Sequence, residues 1–70
     1  MLDAEQEQEY REEAERLALL SVEDQREIIA MHRSTANNPK APKREREITR
    51  ERADALERHL RRLNRGKNNL

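Results

Sequence analysis

The chain has 70 residues, of which 15 are Lys or Arg and 15 are Asp or Glu, and it contains no Cys. A chain of this length forms at most one small domain, and without Cys it has neither a disulfide nor a thiolate metal ligand. No apolar run approaches the ~20 residues that a membrane span requires, and no signal-peptide pattern opens the sequence, so we expect a cytoplasmic protein.

Opposite charges are concentrated in the two halves of the sequence. Residues 1–32 carry ten Asp or Glu against three Arg, whereas residues 33–70 carry twelve Lys or Arg against five acids. Ala, Glu, Lys, Leu and Arg together supply 43 of the 70 residues, a composition that is typical of long helices. We therefore predict an all-α protein whose acidic and basic halves lie against each other, within one chain or across a dimer.

The first predicted helix covers residues about 3–20. Asp3 is placed to cap it, and the acidic residues of its first turns suit the positive end of the helix dipole. A break is predicted near Leu20–Ser21, because Ser21 and Asp24 resemble a capping box and a continuous seam would bury both polar side chains. The alternative is one unbroken helix that continues to about Arg33.

The second predicted helix covers residues about 22–33. Its candidates for burial are Val22, Ile28, Ile29 and Met31. The helix is expected to end there because the following segment, from Ser34 to Pro39, has the chemistry of a turn. Pro disfavours the helical conformation of the residue before it, and Asn tolerates the left-handed conformation. A loop is therefore predicted over residues 34–42.

The third predicted helix covers residues about 43–65 and has the clearest apolar pattern. Its seam follows the 4-3-4-3 spacing of a coiled coil and consists of Thr49, Ala53, Leu56, Leu60 and Leu63. Gly66 is placed to terminate the helix, and residues 66–70 are predicted to form a tail.

Together these elements predict a single domain, a helical hairpin with an additional acidic N-terminal helix. The connection between the last two helices is long enough for them to pack antiparallel. Because about a dozen large apolar side chains make a thin core for this length, we expect a homodimer to complete a bundle.

The sequence offers no constellation for catalysis or for binding a cofactor or metal. His32 and His59 are the only histidines, and no local spacing joins them to carboxylates as a zinc site would require. We interpret each as an edge residue of an apolar stripe. Ser21 is interpreted as a helix cap and not as a nucleophile, so no enzyme activity is predicted.

The favoured function is that of a small protein-interaction or regulatory module. The predicted helices carry more apolar residues than a two-helix hairpin buries, so we expect an apolar stripe to bind a partner protein or a second copy of the chain. The candidate interface residues are Leu17, Leu20, Ile28, Met31, Leu56, Leu60 and Leu63.

The alternative function is nucleic-acid binding by the Arg-rich third helix. A helix that carries such a basic run can neutralise phosphates, and the candidate contacts are Arg44, Arg46, Arg50 and Arg58. The same half of the chain also contains five acidic residues, which repel phosphates, and it has no aromatic residue on which a base can stack. Nucleic-acid binding is therefore the second hypothesis.

Overall fold

The computed structural model describes residues 3–68, and within them it contains three helices and no strand. The helices are α1 (Ala4–Leu17), α2 (Val22–Ala36) and α3 (Lys43–Asn68). The all-α prediction is confirmed for this part of the chain. Of the predicted tail, residues 69 and 70 lie outside the described residues.

The break between the first two helices is confirmed, and the unbroken alternative is wrong. Helix α1 ends at Leu17 and not near residue 20. The amides of Leu19 and Leu20 donate hydrogen bonds to carbonyls three residues earlier, not four residues earlier as in an α-helix. Ser21 then caps α2: its Oγ accepts a hydrogen bond from the Asp24 amide at 3.2 Å. Asp3 caps α1 in the same way, accepting from the Gln6 amide at 2.8 Å.

Helix α2 continues three residues beyond its predicted end at Arg33. Ser34 and Thr35 are exposed, and the Thr35 hydroxyl donates to the Met31 carbonyl at 3.2 Å, a bond that is compatible with a helix. Ala36 is buried and ends the helix. The burial of this small residue outweighs the turn preference of its neighbours, so the connection to α3 is shorter than predicted.

The prediction that Gly66 terminates α3 is wrong. The helix continues through it to Asn68, and no described glycine has a positive φ. A single Gly inside a helix costs about 1 kcal/mol relative to Ala, and this cost is small enough for the preceding turns to carry the helix past it.

Helix α3 lies in the middle of a flat layer of three helices. It packs against both α1 and α2, which contact each other little, and the Cα positions extend over 43 × 28 × 14 Å. Hydrogen bonds join Arg33 to Asp54 and Asn64 to Gln25, so α2 runs antiparallel to α3. Helix α1 packs on the other side of α3.

The core is narrow and consists mostly of alanine. A buried cluster joins α1 to α3, and its members are Ala14, Ala18, Leu56 and Leu60. Leu56 is the largest fully buried side chain of the described residues. The predicted α3 seam is confirmed by burial, since Ala53, Leu56 and Leu60 are buried and Thr49 and Leu63 are half-buried.

The predicted buried face of α2 is wrong at two of its four positions. Val22 and Met31 are 50% and 60% exposed. Helix α2 instead contacts α3 through a stripe at 3- and 4-residue spacing, which consists of Gln25, Ile29, His32 and Ala36. The stripe contains polar residues, and for that reason a search for large apolar side chains misses it.

Candidate protein-binding groove

An open groove runs between α2 and the C-terminal half of α3. Its volume is about 600 Å³. Apolar side chains that line it are Val22, Ile29 and Leu60, together with the exposed Ala30. We refer to this cleft as the α2–α3 groove.

The rim of the α2–α3 groove is predominantly cationic. It carries Arg26, Arg33, Arg61 and Arg65 against the single acid Glu57. At one end, Arg33 donates to both Glu57 and Asp54, and these hydrogen bonds, the one to Glu57 most of all, raise the pKa of its guanidinium above the usual value. Arg61 lies 3.5 Å from the same Glu57 carboxylate. This end of the groove is therefore close to electrically balanced.

The other end of the groove carries unbalanced positive charge. Within residues 3–66, neither Arg26 nor Arg65 makes an ion pair. Both side chains line the groove beside Val22 and Asn64. A guanidinium without a partner beside an apolar surface favours a ligand that brings a carboxylate or another anion.

Gln25 fixes the shape of this positive end. Its side chain is 4% exposed, donates to the Leu20 carbonyl at 3.0 Å and accepts from the Asn64 side-chain amide at 2.9 Å. The first bond holds the turn between α1 and α2, and the second ties that turn to α3. Sequence reasoning missed Gln25 because it lies among five consecutive polar residues, and its 4-residue spacing from Ile29 was the available signal.

The turn that Gln25 holds presents an apolar corner to solvent. Leu19 is 85% exposed and Leu20 is 42% exposed, and both precede Val22 at the end of the groove. We call Leu19, Leu20 and Val22 the apolar corner. A cluster of exposed large aliphatic side chains beside an open groove is typical of an interaction surface.

The predicted interface residues fall into three structural classes. Leu56 and Leu60 belong to the core of the chain itself, and Leu17 and Leu63 are half-buried against that core. Ile28 is half-buried. Leu20 and Met31 are exposed. Of the seven residues, Leu60 lines the α2–α3 groove and Leu20 lies in the apolar corner beside it.

On its other side, α3 holds the acidic helix α1 by ion pairs. Arg52 donates to Glu13 from Nε at 3.1 Å and from Nη2 at 2.5 Å, a two-pronged contact. Arg58 Nη2 donates to Glu7 Oε1 at 2.5 Å, and His59 Nε2 lies 2.9 Å from the same oxygen. The bond from Arg58 is the largest cause that lowers the pKa of Glu7 below its usual value of 4.5, and burial opposes it.

The four predicted nucleic-acid contacts are not equivalent. Arg44 and Arg50 are exposed, whereas Arg46 is half-buried and its Nε is buried without a hydrogen-bond partner. Arg58 is already engaged by Glu7. The structure therefore brings Arg44 and Arg50 to the surface and commits Arg58 to the contact with α1.

The two histidines lie on different helices and have different surroundings. His32 is half-buried on α2, where burial and then the charge of Arg52 lower its pKa below 6.5, with Glu13 opposing them. His59 contacts Glu7 on the other side of α3. Within residues 3–68, no three His, Asp or Glu side chains are grouped as a metal site would require.

No family model, curated protein or solved structure matches this chain. In the part of the chain that the structure describes, no helix has the length and apolar character needed to cross a membrane.

Proposed function

We propose that the protein is a small, non-enzymatic interaction or regulatory module that binds a partner protein in the α2–α3 groove. The observation that carries this proposal is the open cleft of about 600 Å³ lined by Val22, Ile29 and Leu60 and rimmed by arginines. The groove is continuous with the apolar corner, in which Leu19 is almost fully exposed. Together they form an apolar surface with a charged rim, the usual arrangement of a protein interface.

The thinness of the fold supports a role in binding. The three helices form a single layer with a Cα thickness of 14 Å, so no further helix of residues 3–68 covers the groove. Apolar surface removed from water contributes about 25 cal/mol per Å². A partner segment that covers the groove and the apolar corner gains this energy without displacing any part of the described chain.

Affinity capture from the native cell tests the proposal most simply. The bait is the full chain, and the blocking variant is Ala30→Glu, which adds a charged side chain at an exposed position in the groove. Ser34→Glu is the matched control, because Ser34 is exposed on the same helix outside the groove. We expect a protein partner that the wild type and Ser34→Glu retain and Ala30→Glu loses. Equal retention by both variants contradicts the proposed groove.

Self-association is a second outcome for the same surface, and the homodimer remains a prediction. A copy of the chain that covers the groove would bury the apolar corner of each protomer in a two-fold arrangement. Sedimentation of the wild type and Ala30→Glu tests it, since a dimer formed through the groove becomes monomeric in the variant. We propose a cytoplasmic location for the module, which imaging of the full chain in its native cell tests.

Nucleic-acid binding is the alternative function, and exposed Arg44 and Arg50 are the observation that favours it. Neither makes an ion pair within residues 3–66. This hypothesis expects binding to duplex DNA or structured RNA that weakens steeply as salt is raised. It also expects the double substitution Arg44→Glu, Arg50→Glu to abolish that binding. No shift of either nucleic acid at low salt contradicts it.

A further inference from the structure

We infer that the occupant of the α2–α3 groove is an acidic amphipathic helix of a partner protein, with carboxylates grouped towards one end. This inference rests on the proposed function, since it names the chemistry of the segment that the groove binds. Its three supports are the charge of the rim, the contact of α3 with α1, and the dimensions of the groove.

The rim charge selects an acidic partner. Four arginines and one glutamate line the groove, and the pairing of Arg33 and Arg61 with Glu57 leaves the imbalance at the end that holds Arg26 and Arg65. A basic partner meets repulsion there, whereas a carboxylate forms a charge-assisted hydrogen bond with each guanidinium. The excess charge therefore favours acids near the apolar corner.

The chain itself provides an example of this mode of recognition. On its opposite side, α3 already holds an acidic helix, α1, by pairing Arg52 with Glu13 and Arg58 with Glu7. In the same contact, Ala14 and Ala18 pack in a buried cluster with Leu56 and Leu60. The groove combines similar elements, an apolar centre and, on α3, Arg61 and Arg65, while its other two arginines lie on α2. Helix α2 packs on this side of α3, and among residues 3–68 no acidic helix lies over the groove that the two form.

The dimensions of the groove suit a short helix. On α2 its lining extends from Val22 to Arg33, and on α3 from Glu57 to Arg65. At 1.5 Å per residue these spans are about 17 Å and 12 Å, or two to three helical turns. A helix of that length presents apolar anchors at i, i+3 or i+4, and i+7, which is the spacing used when an amphipathic helix binds a groove.

Binding of two synthetic helices measures the preference. Both probes are fluorescein-labelled peptides of about 16 residues with identical Leu anchors at i, i+4 and i+7, and they differ only in flanking residues, Glu in one and Lys in the other. Fluorescence anisotropy with the full-length chain gives each Kd. We expect the Glu peptide to bind at least about tenfold more tightly than the Lys peptide. A Lys peptide that binds equally or more tightly overturns the inference.

Charge reversals inside and outside the groove show which arginines cause the preference for the Glu peptide. The double variant Arg26→Glu, Arg65→Glu is expected to reverse the preference between the peptides. The control Arg44→Glu, Arg50→Glu makes the same charge change at exposed positions outside the groove and is expected to keep the wild-type preference. If the control loses the Glu peptide as fully as the groove variant does, the selectivity arises from net charge and the inference is wrong.

The Ala30→Glu variant separates failure of the inference from failure of the proposed function. If the Glu and Lys peptides bind the wild type equally tightly and Ala30→Glu abolishes the binding of both, the groove binds helices without an acidic preference. In that case only the inference is overturned. If neither peptide binds the wild type, or Ala30→Glu leaves binding unchanged, both are overturned. A wild-type dimer that Ala30→Glu dissociates assigns the groove to a second copy and likewise overturns the inference.

Discussion

The two sides of α3 differ in how they contact their neighbours. On the α1 side, Ala14 is fully buried, Arg52 and Arg58 are paired with carboxylates, and the cleft of about 500 Å³ beside Leu63 is otherwise lined by polar and charged residues. On the α2 side, Gln25 takes the buried position, and an open groove remains beside Leu60. The cleft between α3 and α1 is therefore mainly polar, whereas the groove between α3 and α2 has an apolar lining of Val22, Ile29 and Leu60.

The largest expected effect is the loss of the most deeply buried large side chain. Leu56 is the largest fully buried side chain, and Leu56→Ala removes its apolar contacts and leaves a cavity. We expect the free energy of unfolding in urea, followed by circular dichroism, to fall by about 2–4 kcal/mol. Met31→Ala is the control, because Met31 is exposed, and it is expected to change stability by less than about 0.5 kcal/mol. Equal effects would contradict the assigned core.

Adding volume distinguishes the buried α1–α3 contact from the α2–α3 groove. Ala14→Leu inserts a large side chain where Ala14 has no exposed surface, so we expect a loss of about 1–3 kcal/mol in the free energy of unfolding. Ala30→Leu makes the same change in the groove, where Ala30 is exposed, and is expected to shift stability by less than about 0.5 kcal/mol. The comparison fails if Ala30→Leu is the more damaging substitution in the same urea titration.

Removal of the Gln25 amide tests what holds the groove open at its positive end. Gln25→Ala leaves the Leu20 carbonyl and the Asn64 amide without their partner, and we expect a loss of about 1–2 kcal/mol in the free energy of unfolding. Gln8→Ala removes an exposed Gln whose bond to Glu12 is within one helix, and is expected to have little effect. Indistinguishable unfolding midpoints would rule out a structural role for Gln25.

The smallest expected effect is a pH dependence at the edge of the α2–α3 contact. Burial and Arg52 lower the pKa of His32 below 6.5 in the folded chain, with Glu13 acting in the opposite direction. The unfolded chain therefore binds more protons, so the stability contributed by neutral His32 is present above about pH 6.5 and is lost as the pH falls. We expect a lower unfolding temperature at pH 5.5 than at pH 7.5, and a weaker dependence in His32→Gln. A His32 NMR titration midpoint above 6.5 would contradict this sign.

The features that the sequence predicts well are those determined by residues close together in the sequence. The Ser21 cap depends on an amide three residues away, and the α3 seam depends on a single helix with regular spacing. The helix ends are less accurate. Ala36 continues α2 because it is buried against the rest of the fold, and this tertiary contribution is not visible in the turn signals that follow it.

The candidate site was less predictable, because it depends on which faces of two helices meet. Apolar size favoured Met31 for burial, but the contact stripe of α2 includes Gln25 and His32. Because α3 lies between the other two helices, it also contacts each of them through charged residues outside its seam. Arg52 pairs with Glu13 of α1, and Glu57 pairs with Arg33 of α2. A hydrophobicity pattern does not contain this information, so neither the groove nor its arginine rim was identified.

Chemical-shift mapping tests the central claim most directly. The full-length, ¹⁵N-labelled chain is titrated with the Glu-flanked peptide, and the backbone amide shifts are followed. The account predicts that the largest shifts fall between residues 22 and 33 and between 57 and 65, which line the α2–α3 groove. Amides of residues 4–11 in α1 should change little, because no residue of α1 lines the groove. Shifts centred on α1 or on residues 43–52 would contradict the account.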